Sequence, residues 1–523
     1  MQPLKRFLKP IDATFGEYGS LIVDLLNPSS TAARDSDLTH VMCLFDTDTL
    51  LGEAFFDPAK GPNQGDIFLD ALDAFCARHS EKTVVTNTFY ASTARPSNFN
   101  DVLSEGTVRS LEATLNRRLV EVARMRPNLL IVDIEFLFRH YGERQLISSA
   151  FWYVGRIRYT TLMFRVFGDL IRQAIAAYNN KARKLLVLDL DNTLWGGVLG
   201  EVGPRGVELS EEGRGACFRD FQRAIKALKQ SGTLLAICSK NNLEDVLEVF
   251  EQNSMMILSR DDFSCIQVNW QPKPENILDI ATTLNISPDS FVFIDDDPVE
   301  RAIVAKALPE IVTPDFPERL ETLREWFIQN VVRPHFGKYR ISNEDLQKTE
   351  QYKANESRRR FAADFDLDGF LSQLEIRCDI RVNDPSSVLR AAQLTQKTNQ
   401  FNLTTQRYDI PDITKYIADP NRALIVLDYS DRFGSEGIVA LSMLEIAEGR
   451  ISNFLMSCRV IGRKIEDQLL DRVLELFREN GLSKVFAEFV PTAKNQVVKS
   501  FYERHGFTLI AEHEERRTYE REI

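Results

Sequence analysis

Two aspartates two residues apart follow an apolar run in the segment Val187-Leu-Asp189-Leu-Asp191-Asn192-Thr193. A strand that continued through them would bury both carboxylates, which costs several kcal/mol for each one that finds no partner. We therefore expect the chain to turn there and to direct Asp189 and Asp191 into a cleft, where Thr193 and the amides of the turn can meet a phosphate. For this motif taken alone, acidic residues that cap a following helix are the alternative interpretation.

Further polar residues come where later apolar runs end. Ser239 follows one such run, Lys273 lies further along the chain, and Asp295 and Asp296 follow another run. The order Asp, Ser, Lys, Asp-Asp is that of the four motifs of the haloacid dehalogenase (HAD) superfamily, which this region resembles. Predicted strands alternate with predicted helices in this region, which indicates a parallel, doubly wound sheet with its ligands at the carboxyl ends of the strands.

These residue types suit phosphoryl transfer assisted by Mg²⁺. The oxygens of a phosphoryl group repel a carboxylate nucleophile, and a divalent cation removes that obstacle. Asp189 would attack phosphorus and form an aspartyl-phosphate, while Asp191 would protonate the leaving oxygen and later activate water. Ser239 and Lys273 would neutralise the transferred group.

The predicted metal ligands are Asp189, Asp191, Asp295 and Asp296, with the backbone carbonyl of Asp191 as the usual further ligand in the superfamily. The predicted substrate-binding residues are Thr193, Asn192, Ser239, Lys240 and Lys273. For Asp297 two interpretations stay open: it belongs to this acidic cluster, or it caps the next helix.

Longer segments are more specific, and they resemble the FkbH-like proteins, a HAD branch of the subfamily IIIC type. The resemblance covers roughly residues 180 to 510. The segments that carry it are Leu188-Asp-Leu-Asp-Asn-Thr-Leu-Trp-Gly-Gly-Val-Leu-Gly-Glu201, Cys238-Ser-Lys-Asn-Asn242, Asn269-Trp-Gln-Pro-Lys273, Phe293-Ile-Asp-Asp-Asp-Pro-Val-Glu300, Gln396-Lys-Thr-Asn-Gln-Phe-Asn-Leu-Thr-Thr405, Asp431-Arg-Phe-Gly434 and Ser457-Cys-Arg-Val-Ile-Gly-Arg463. The sequence departs from the family at Asp297, where Asn is common, and at Pro204-Arg205 in the flap, which puts the substrate fit in question.

The resemblance implies a bifunctional glyceryl transferase/phosphatase. Such proteins take 1,3-bisphosphoglycerate, remove phosphate, hold the glyceryl group on a cysteine and pass it to the phosphopantetheine thiol of an acyl carrier protein. The implied partners are therefore a phosphorylated small-molecule acyl donor and a carrier protein of polyketide-type biosynthesis. The alternative is a HAD phosphatase fused to an N-acyltransferase that acts in surface-polysaccharide or amino-sugar biosynthesis. In a third hypothesis the regions on either side of the phosphatase only dock a carrier or a synthase.

The C-terminal region resembles a GNAT acyltransferase. Cys458-Arg-Val-Ile-Gly462-Arg463-Lys464 precedes a predicted helix, and a glycine turn at a helix N-terminus offers its amides to an anion. The residues predicted to bind phosphopantetheine are Arg459, Gly462, Arg463, Asn495 and Tyr502. The alternative interpretation is a strand, a turn and a helix whose basic end is solvated.

Two cysteines are candidates for an acyl-carrying thiol. The seven cysteines form no CxxC pair, which favours reduced thiols over a disulfide framework. Cys458 is favoured for carrier-side chemistry because Arg459 follows it, and Cys238 stays open because it precedes Ser239. Either cysteine can instead pack as a small hydrophobic residue.

The apolar runs and helical patterns along the sequence predict a multidomain α/β protein. We expect an SGNH-hydrolase-like α/β domain over residues 1–180, a HAD domain over 181–345 and a GNAT-like α+β domain over 366–523. The charged segment over about 340–365 is predicted to be a linker helix or a solvated face. The first domain is expected to be non-catalytic, because it contains no clear Gly-Asp-Ser nucleophile and only His140 with Asp133 suggests a hydrolase. The predicted strands are Val41–Phe45, Leu129–Asp133, Lys184–Leu188, Leu234–Cys238, Phe291–Ile294, Arg422–Asp428, Ile438–Leu444 and Lys484–Val490. The predicted helices are Glu112–Arg124, Leu162–Tyr178, Cys217–Ser231, Leu243–Gln252 and Ile465–Arg478.

Composition narrows the function classes. The net charge of −12 opposes nucleic-acid binding, which depends on attraction to phosphates. The N-terminus lacks the apolar core of a signal peptide, and no apolar run approaches the roughly 20 residues that span a bilayer. The sequence therefore predicts a soluble cytoplasmic protein that binds neither nucleic acid nor membrane.

Overall fold

The computed structural model describes residues 2–9, 11, 19–57, 64–94, 99–179, 182–340, 351, 354, 358, 361, 367–513 and 516–523. The chain divides into two compact units, Met1–Tyr178 with Tyr408–Ala418, and Asn179–Arg407 with Asp419–Ile523. Most of the charged segment over about 340–365 lies outside the described residues. The described helices include none with both the length and the apolar composition to cross a bilayer.

The first unit contains a three-stranded parallel sheet in the order β1-β2-β3. Its strands are β1 (His40–Cys43), β2 (Thr83–Asn87) and β3 (Leu129–Val132). Its α-helices are Leu21–Leu26, Thr31–Arg34, Thr47–Leu51, Gln64–Arg78, Val108–Met125, Glu135–Tyr141, Glu143–Leu146, Ser149–Gly155, Thr161–Tyr178 and Ile410–Ala418. The two predicted strands and the two predicted helices of this region are present, whereas β2 was not predicted. The SGNH-like character of this unit stays a prediction.

His140 and Asp133 have separate local contacts. Asp133 accepts hydrogen bonds from the Thr88 hydroxyl (3.4 Å) and from the Glu135 amide (3.1 Å). The His140 ring stacks on Phe136, with 5.8 Å between the ring centroids. These contacts do not join Asp133 and His140 to each other.

The second unit contains a four-stranded parallel sheet in the order β6-β5-β4-β7. Its strands are β4 (Leu185–Leu188), β5 (Leu234–Ser239), β6 (Cys265–Val268) and β7 (Phe291–Ile294). The helices that surround it are Leu199–Val202, Gly213–Gln230, Leu243–Gln252, Lys273–Leu284, Pro298–Ala307 and Leu323–Trp326, followed by a π-helix at Phe327–Phe336. The strand order reverses beside β4, and ligands of such sheets bind in the crevice at the carboxyl ends of the strands on either side of the reversal.

The side chains of β4 alternate between two cores. Leu186 and Leu188 lie in one hydrophobic cluster with Phe218 of the helix Gly213–Gln230. Leu185 and Val187 lie in another cluster with residues of the helix Lys273–Leu284. Because both faces of the sheet are covered, the sheet is doubly wound as predicted, and the strand reads as a continuous apolar run.

The C-terminal part of this unit contains a mixed sheet in the order β14-β15-β13-β12-β11-β10-β8, with β9 paired to β12. Its strands are β8 (Arg377–Val382), β9 (Phe401–Asn402), β10 (Arg422–Asp431), β11 (Gly434–Glu445), β12 (Arg450–Met456), β13 (Lys484–Phe489), β14 (Thr508–His513) and β15 (Arg516–Glu522). The α-helices here are Leu367–Gln373, Val388–Lys397, Ile465–Glu479 and Phe501–Arg504. The helix Ile465–Glu479 buries Leu469, Val473 and Phe477, the apolar face that its periodicity predicts.

Short 3₁₀ helices are also present among the described residues. They are Gln2–Phe7, Gly52–Phe55, Phe99–Val102, Arg260–Asp262, Pro288–Ser290, Leu320–Thr322, Pro385–Ser387, Cys458–Val460 and Gln496–Val498.

Candidate active site

Three carboxylates meet at the carboxyl ends of β4 and β7. The register pairs Leu188 with Ile294, so the residues that follow the two strands are neighbours. Asp189, Asp295 and Asp296 each offer a carboxylate oxygen, and these oxygens lie within 4.8 Å of one another. The amide of Asp189 donates to the carbonyl of Ile294 at 3.0 Å, which fixes the point where the chain leaves β4. The sheet thus places the carboxylates together although they are far apart in the chain.

Lys273 lies among these carboxylates. Its Nζ donates to Asp189 Oδ1 at 2.9 Å and to Asp295 Oδ2 at 2.5 Å. Burial alone would lower the pKa of Lys273, but the two carboxylates raise it above its ordinary value. Lys273 is therefore an ammonium group, and it offsets part of the negative charge of the cluster.

The cluster keeps an excess of negative charge. Burial raises the pKa of Asp189, with Lys273 opposing it. Burial also raises the pKa of Asp295 and of Asp296, and a neighbouring aspartate adds to the increase in each case. Three carboxylates and one ammonium carry a net charge of −2 when all are ionised. A divalent cation that takes hard oxygen ligands fits this set, and Mg²⁺ is such a cation.

Asp191 lies outside that group of three and has its own partners. Its Oδ1 accepts a hydrogen bond from Trp195 Nε1 at 3.0 Å, and its Oδ2 accepts one from Asn241 Nδ2 at 3.1 Å. Asn241 also donates to Ser239 Oγ at 3.2 Å. Neither Trp195 nor Asn241 was among the predicted site residues, although both lie in the segments that carry the family resemblance.

Asn192 and Thr193 tether the loops of the site. Asn192 adopts a left-handed backbone conformation (φ 52°), and its Oδ1 accepts the amide of Gly197 at 2.9 Å. The Thr193 hydroxyl accepts the amide of Asp296 at 3.1 Å and lies 3.4 Å from that residue's Oδ1. Both residues were predicted to bind substrate. In this structure Asn192 makes a hydrogen bond within the loop that follows β4, and Thr193 joins that loop to the one that follows β7.

Other polar side chains of the β5 and β7 loops are also paired. Lys240, predicted to bind substrate, has its Nζ 2.6 Å from Glu300 Oε1. Asp297 caps the helix Pro298–Ala307 by accepting the amide of Val299 at 2.8 Å, which resolves the choice left open by the sequence. Arg301 donates to the carbonyls of Asp295 and Asp296, at 2.8 Å each. Sequence reasoning missed Arg301, whose only signal was its place in the first turns of the helix after the acidic run.

Comparisons with known proteins bear on this region. No family model matches the chain, and no curated protein matches it. A crystal structure of the N-terminal part of a Bacteroides fragilis protein, which contains a phosphatase domain complexed with Mg, is similar at 26% identity and a TM-score of 0.59. The similarity covers 64% of this chain and 90% of that one. The N-terminal part of this chain therefore resembles a phosphatase domain.

Weaker similarities involve acetyltransferases. The Ard1 protein of Thermoplasma volcanium is 19% identical, and the PaiA N-acetyltransferase of Thermoplasma acidophilum, solved with coenzyme A, is 13% identical. Each covers 28% of this chain, 97% and 99% of the respective solved chains, and has a TM-score of 0.23. At these scores the likeness assigns neither a fold nor an activity to the C-terminal region.

The two arginines predicted to hold a phosphate in that region are paired with carboxylates. Arg459 Nη1 lies 3.1 Å from Glu436 Oε2, and Arg463 Nη1 lies 3.7 Å from Asp431 Oδ2. Both side chains are largely buried, and the guanidinium of Arg463 also stacks over the ring of Tyr429. Gly462 makes the turn between them with φ 86°. A phosphate at this turn would therefore compete with carboxylates that already hold the arginines.

The gap beside the end of β12 is filled by the protein's own backbone. β12 and β13 are parallel and pair at only two positions. Where they diverge, β9 pairs with β12, and Leu403 next to it accepts the amide of Val490 at 2.8 Å. An extended ligand with amide groups, such as a pantetheine arm, binds a strand through such unpaired backbone groups. These groups are already used by β9 and Leu403.

Asn495 and Tyr502 lie inside the protein. Asn495 Nδ2 donates to the carbonyls of Asn402 and Val490, at 2.9 Å each, so this side chain fixes β9 in the gap. Burial raises the pKa of Tyr502, whose hydroxyl has no hydrogen-bond partner among the described residues. The structure brings neither side chain to an exposed surface where an arm could bind.

The two candidate thiols differ in accessibility. Cys238 is fully buried 3.7 Å from the Lys273 carbonyl, and burial raises its pKa, so it packs as a small hydrophobic residue. Cys458 is half-buried, with its Sγ 3.6 Å from the Asn285 carbonyl. Because a reactive thiol needs some exposure, the structure favours Cys458.

Proposed function

We propose that this protein is a Mg²⁺-dependent HAD-type phosphatase with Asp189 as its nucleophile. The observation that carries the proposal is the cluster of Asp189, Asp295 and Asp296 around the buried ammonium of Lys273. The likeness to a phosphatase domain solved with Mg supports it independently. Asp189, Asp295 and Asp296 would hold the cation, which would neutralise the phosphoryl oxygens and so permit attack by a carboxylate.

The protein's own residues would divide the reaction into two half-reactions. In the first, an oxygen of Asp189 forms a bond to phosphorus while the bond to the leaving oxygen breaks, and Asp191 gives that oxygen a proton. In the second, Asp191 takes a proton from water, whose oxygen displaces Asp189 from phosphorus. Lys273 and Ser239 stabilise negative charge at the carboxylates and at the phosphoryl group.

The narrower proposal is that the substrate is 1,3-bisphosphoglycerate and that the glyceryl group passes through Cys458 to the phosphopantetheine thiol of an acyl carrier protein. The FkbH-like segments and the accessibility of Cys458 support it. In this scheme the sulfur of Cys458 displaces phosphate from the acyl carbon, and hydrolysis at Asp189 removes the other phosphate. The protein then carries a glyceryl thioester until the carrier thiol displaces it.

The test is the intact mass of the protein after incubation with Mg²⁺ and 1,3-bisphosphoglycerate, with released phosphate measured in parallel. We expect a thioester adduct of glyceryl mass that is absent from Cys458→Ser and retained by Cys238→Ser, the matched buried control. Asp189→Asn should form the adduct with one phosphate still attached. Phosphate release without any adduct would reduce the protein to a phosphatase, and normal phosphate removal by Asp189→Asn would contradict the nucleophile.

The competing function, a phosphatase fused to an N-acyltransferase, is favoured by the mixed C-terminal sheet. It is opposed by β9, which occupies the gap between β12 and β13 where an acyl-coenzyme A arm would find free backbone groups. The same contact opposes binding of a carrier arm in that gap, so the narrower proposal requires the carrier thiol to reach Cys458 by another route. Turnover of acetyl-coenzyme A with an amine acceptor would decide in its favour.

A further inference from the structure

The carboxylate of Asp191 is held at both of its oxygens. Trp195 Nε1 donates to Oδ1 at 3.0 Å, and Asn241 Nδ2 donates to Oδ2 at 3.1 Å. A carboxylate with one hydrogen bond can still rotate about its last torsion, whereas two donors on opposite oxygens fix the plane of the group. The two donors come from different strand ends, since Trp195 follows β4 and Asn241 follows β5.

Trp195 is itself rigidly placed. Its side chain is fully buried, and its ring meets Phe250 edge to face, with 6.2 Å between the centroids. Asp191 and Trp195 also form an isolated parallel β-bridge, so the backbone fixes their separation. The indole nitrogen can only donate, so Trp195 is the donor and Asp191 the acceptor of this hydrogen bond.

Asn241 connects Asp191 to a second site residue. The side chain is buried, and its Nδ2 lies 3.1 Å from Asp191 Oδ2 and 3.2 Å from Ser239 Oγ. A single amide therefore sets the spacing between the residue predicted to move the proton and a hydroxyl predicted to contact the phosphoryl group.

We propose that Trp195 and Asn241 are positioning residues that aim the Asp191 carboxyl at the oxygen leaving phosphorus. The proposal rests on the proposed phosphatase function. Proton transfer requires a donor within hydrogen-bond reach of the leaving oxygen, and small misplacements of such a group lower the rate strongly. Trp195 and Asn241 act through Asp191 and need not touch the substrate.

The role predicts a dependence on the leaving group. An alkyl phosphate loses an alkoxide, which needs the proton of Asp191 as the bond to phosphorus breaks. An acyl phosphate loses a carboxylate, which is stable without that proton. The value of kcat/KM reports the steps up to formation of the phosphorylated Asp189, so it separates the two cases from the later attack of water.

The experiment compares kcat/KM of wild type and Trp195→Phe with Mg²⁺ and two probes, glycerol 1-phosphate and acetyl phosphate. Trp195→Phe keeps a large aromatic ring and removes the N–H. We expect kcat/KM to fall roughly 10- to 100-fold for glycerol 1-phosphate and less than about threefold for acetyl phosphate. Asn241→Asp, which replaces the donor by an acceptor of similar size, should show the same selectivity and keeps the test available if Trp195→Phe does not fold.

Trp326→Phe is the matched control, because Trp326 packs against Phe316 at the edge of the same hydrophobic cluster. It should leave both values unchanged. Equal losses of Trp195→Phe on both probes, or no loss on either, would overturn the positioning role while leaving the phosphatase intact. Wild-type protein that releases phosphate from neither probe would overturn the proposed function and the positioning role with it.

Discussion

Lys273 Nζ lies 2.9 Å from Asp189 Oδ1, although the two residues are 84 positions apart in the chain. The same ammonium lies 2.5 Å from Asp295 Oδ2, so one buried cation joins the strand end of β4 to that of β7. Without a bound cation, Lys273 is the main positive charge that holds the three carboxylates together. Its removal should therefore affect both stability and phosphate release.

Lys273→Met should destabilise the second unit by about 3 kcal/mol, because removing one member of a buried ion pair leaves the other unpaired. Thermal unfolding without metal measures this, and added Mg²⁺ should restore part of the loss. Lys240→Met is the matched control, since the Lys240–Glu300 pair is partly exposed and such pairs contribute about 1 kcal/mol or less. Equal effects of the two variants would show that Lys273 is not what holds the cluster together.

Asp189→Asn should lower phosphate release by roughly 10³-fold or more, because an amide cannot form the bond to phosphorus. The measurement is phosphate release with acetyl phosphate and Mg²⁺, with circular dichroism as the check on folding. Asp379→Asn, at an exposed position far along the chain, is the control for loss of a carboxylate. Activity near the wild-type level in Asp189→Asn would identify a different nucleophile.

Mg²⁺ should raise the unfolding temperature of the wild-type protein, since a ligand that binds only the folded state stabilises it by mass action. The three carboxylates repel one another, and a divalent cation removes that repulsion. Asp296→Asn should shift the Mg²⁺ dependence of both unfolding temperature and phosphate release to higher concentration. A chelator should abolish the activity, and activity that persists in its presence would argue against the metal.

Asp431 should make stability depend on pH. Burial would raise its pKa, but hydrogen bonds from Arg358 and Tyr429 outweigh this and hold the pKa below the ordinary value of 3.8. The ionised form therefore stabilises the fold above about pH 4, and that contribution is lost as the pH falls through the lowered pKa. Asp431→Asn should be less stable at pH 7, and its difference from wild type should shrink as the pH falls below about 4 in urea unfolding. A difference that does not change with pH would contradict the ion pair.

Coenzyme A should not bind the C-terminal region, because β9 and Leu403 already pair with the strand edges that a pantetheine arm would use. At concentrations near 1 mM it should shift the unfolding temperature by less than about 1 °C, whereas a ligand well above its Kd gives several times more. A clear shift would show that β9 can leave the gap, and it would favour the acyltransferase alternative.

Local patterns predicted much of the fold. The apolar runs before Asp189, Ser239 and Asp295 predicted three strands of the central sheet, and the 3.6-residue periodicity of Ile465–Arg478 predicted its helix within one residue. Seven of the fifteen described strands were missed, and two of the seven belong to the parallel sheets. Cys265–Val268 contains a glutamine and Thr83–Asn87 contains polar residues at three of five positions, so neither stands out as an apolar run.

The sequence by itself determined that Asp189, Ser239 and Asp295 each follow the end of a strand, with Asp191 two residues after Asp189 and Lys273 between the second and third strand ends, because residue type and apolar patterning are local properties. Only the tertiary structure decided what these side chains contact. It placed Trp195 and Asn241 on Asp191, paired Arg459 and Arg463 with carboxylates, buried Cys238 and filled the gap beside β12 with β9. Such contacts join residues from distant parts of the chain, and their geometry depends on the order and register of the strands, which no local pattern specifies.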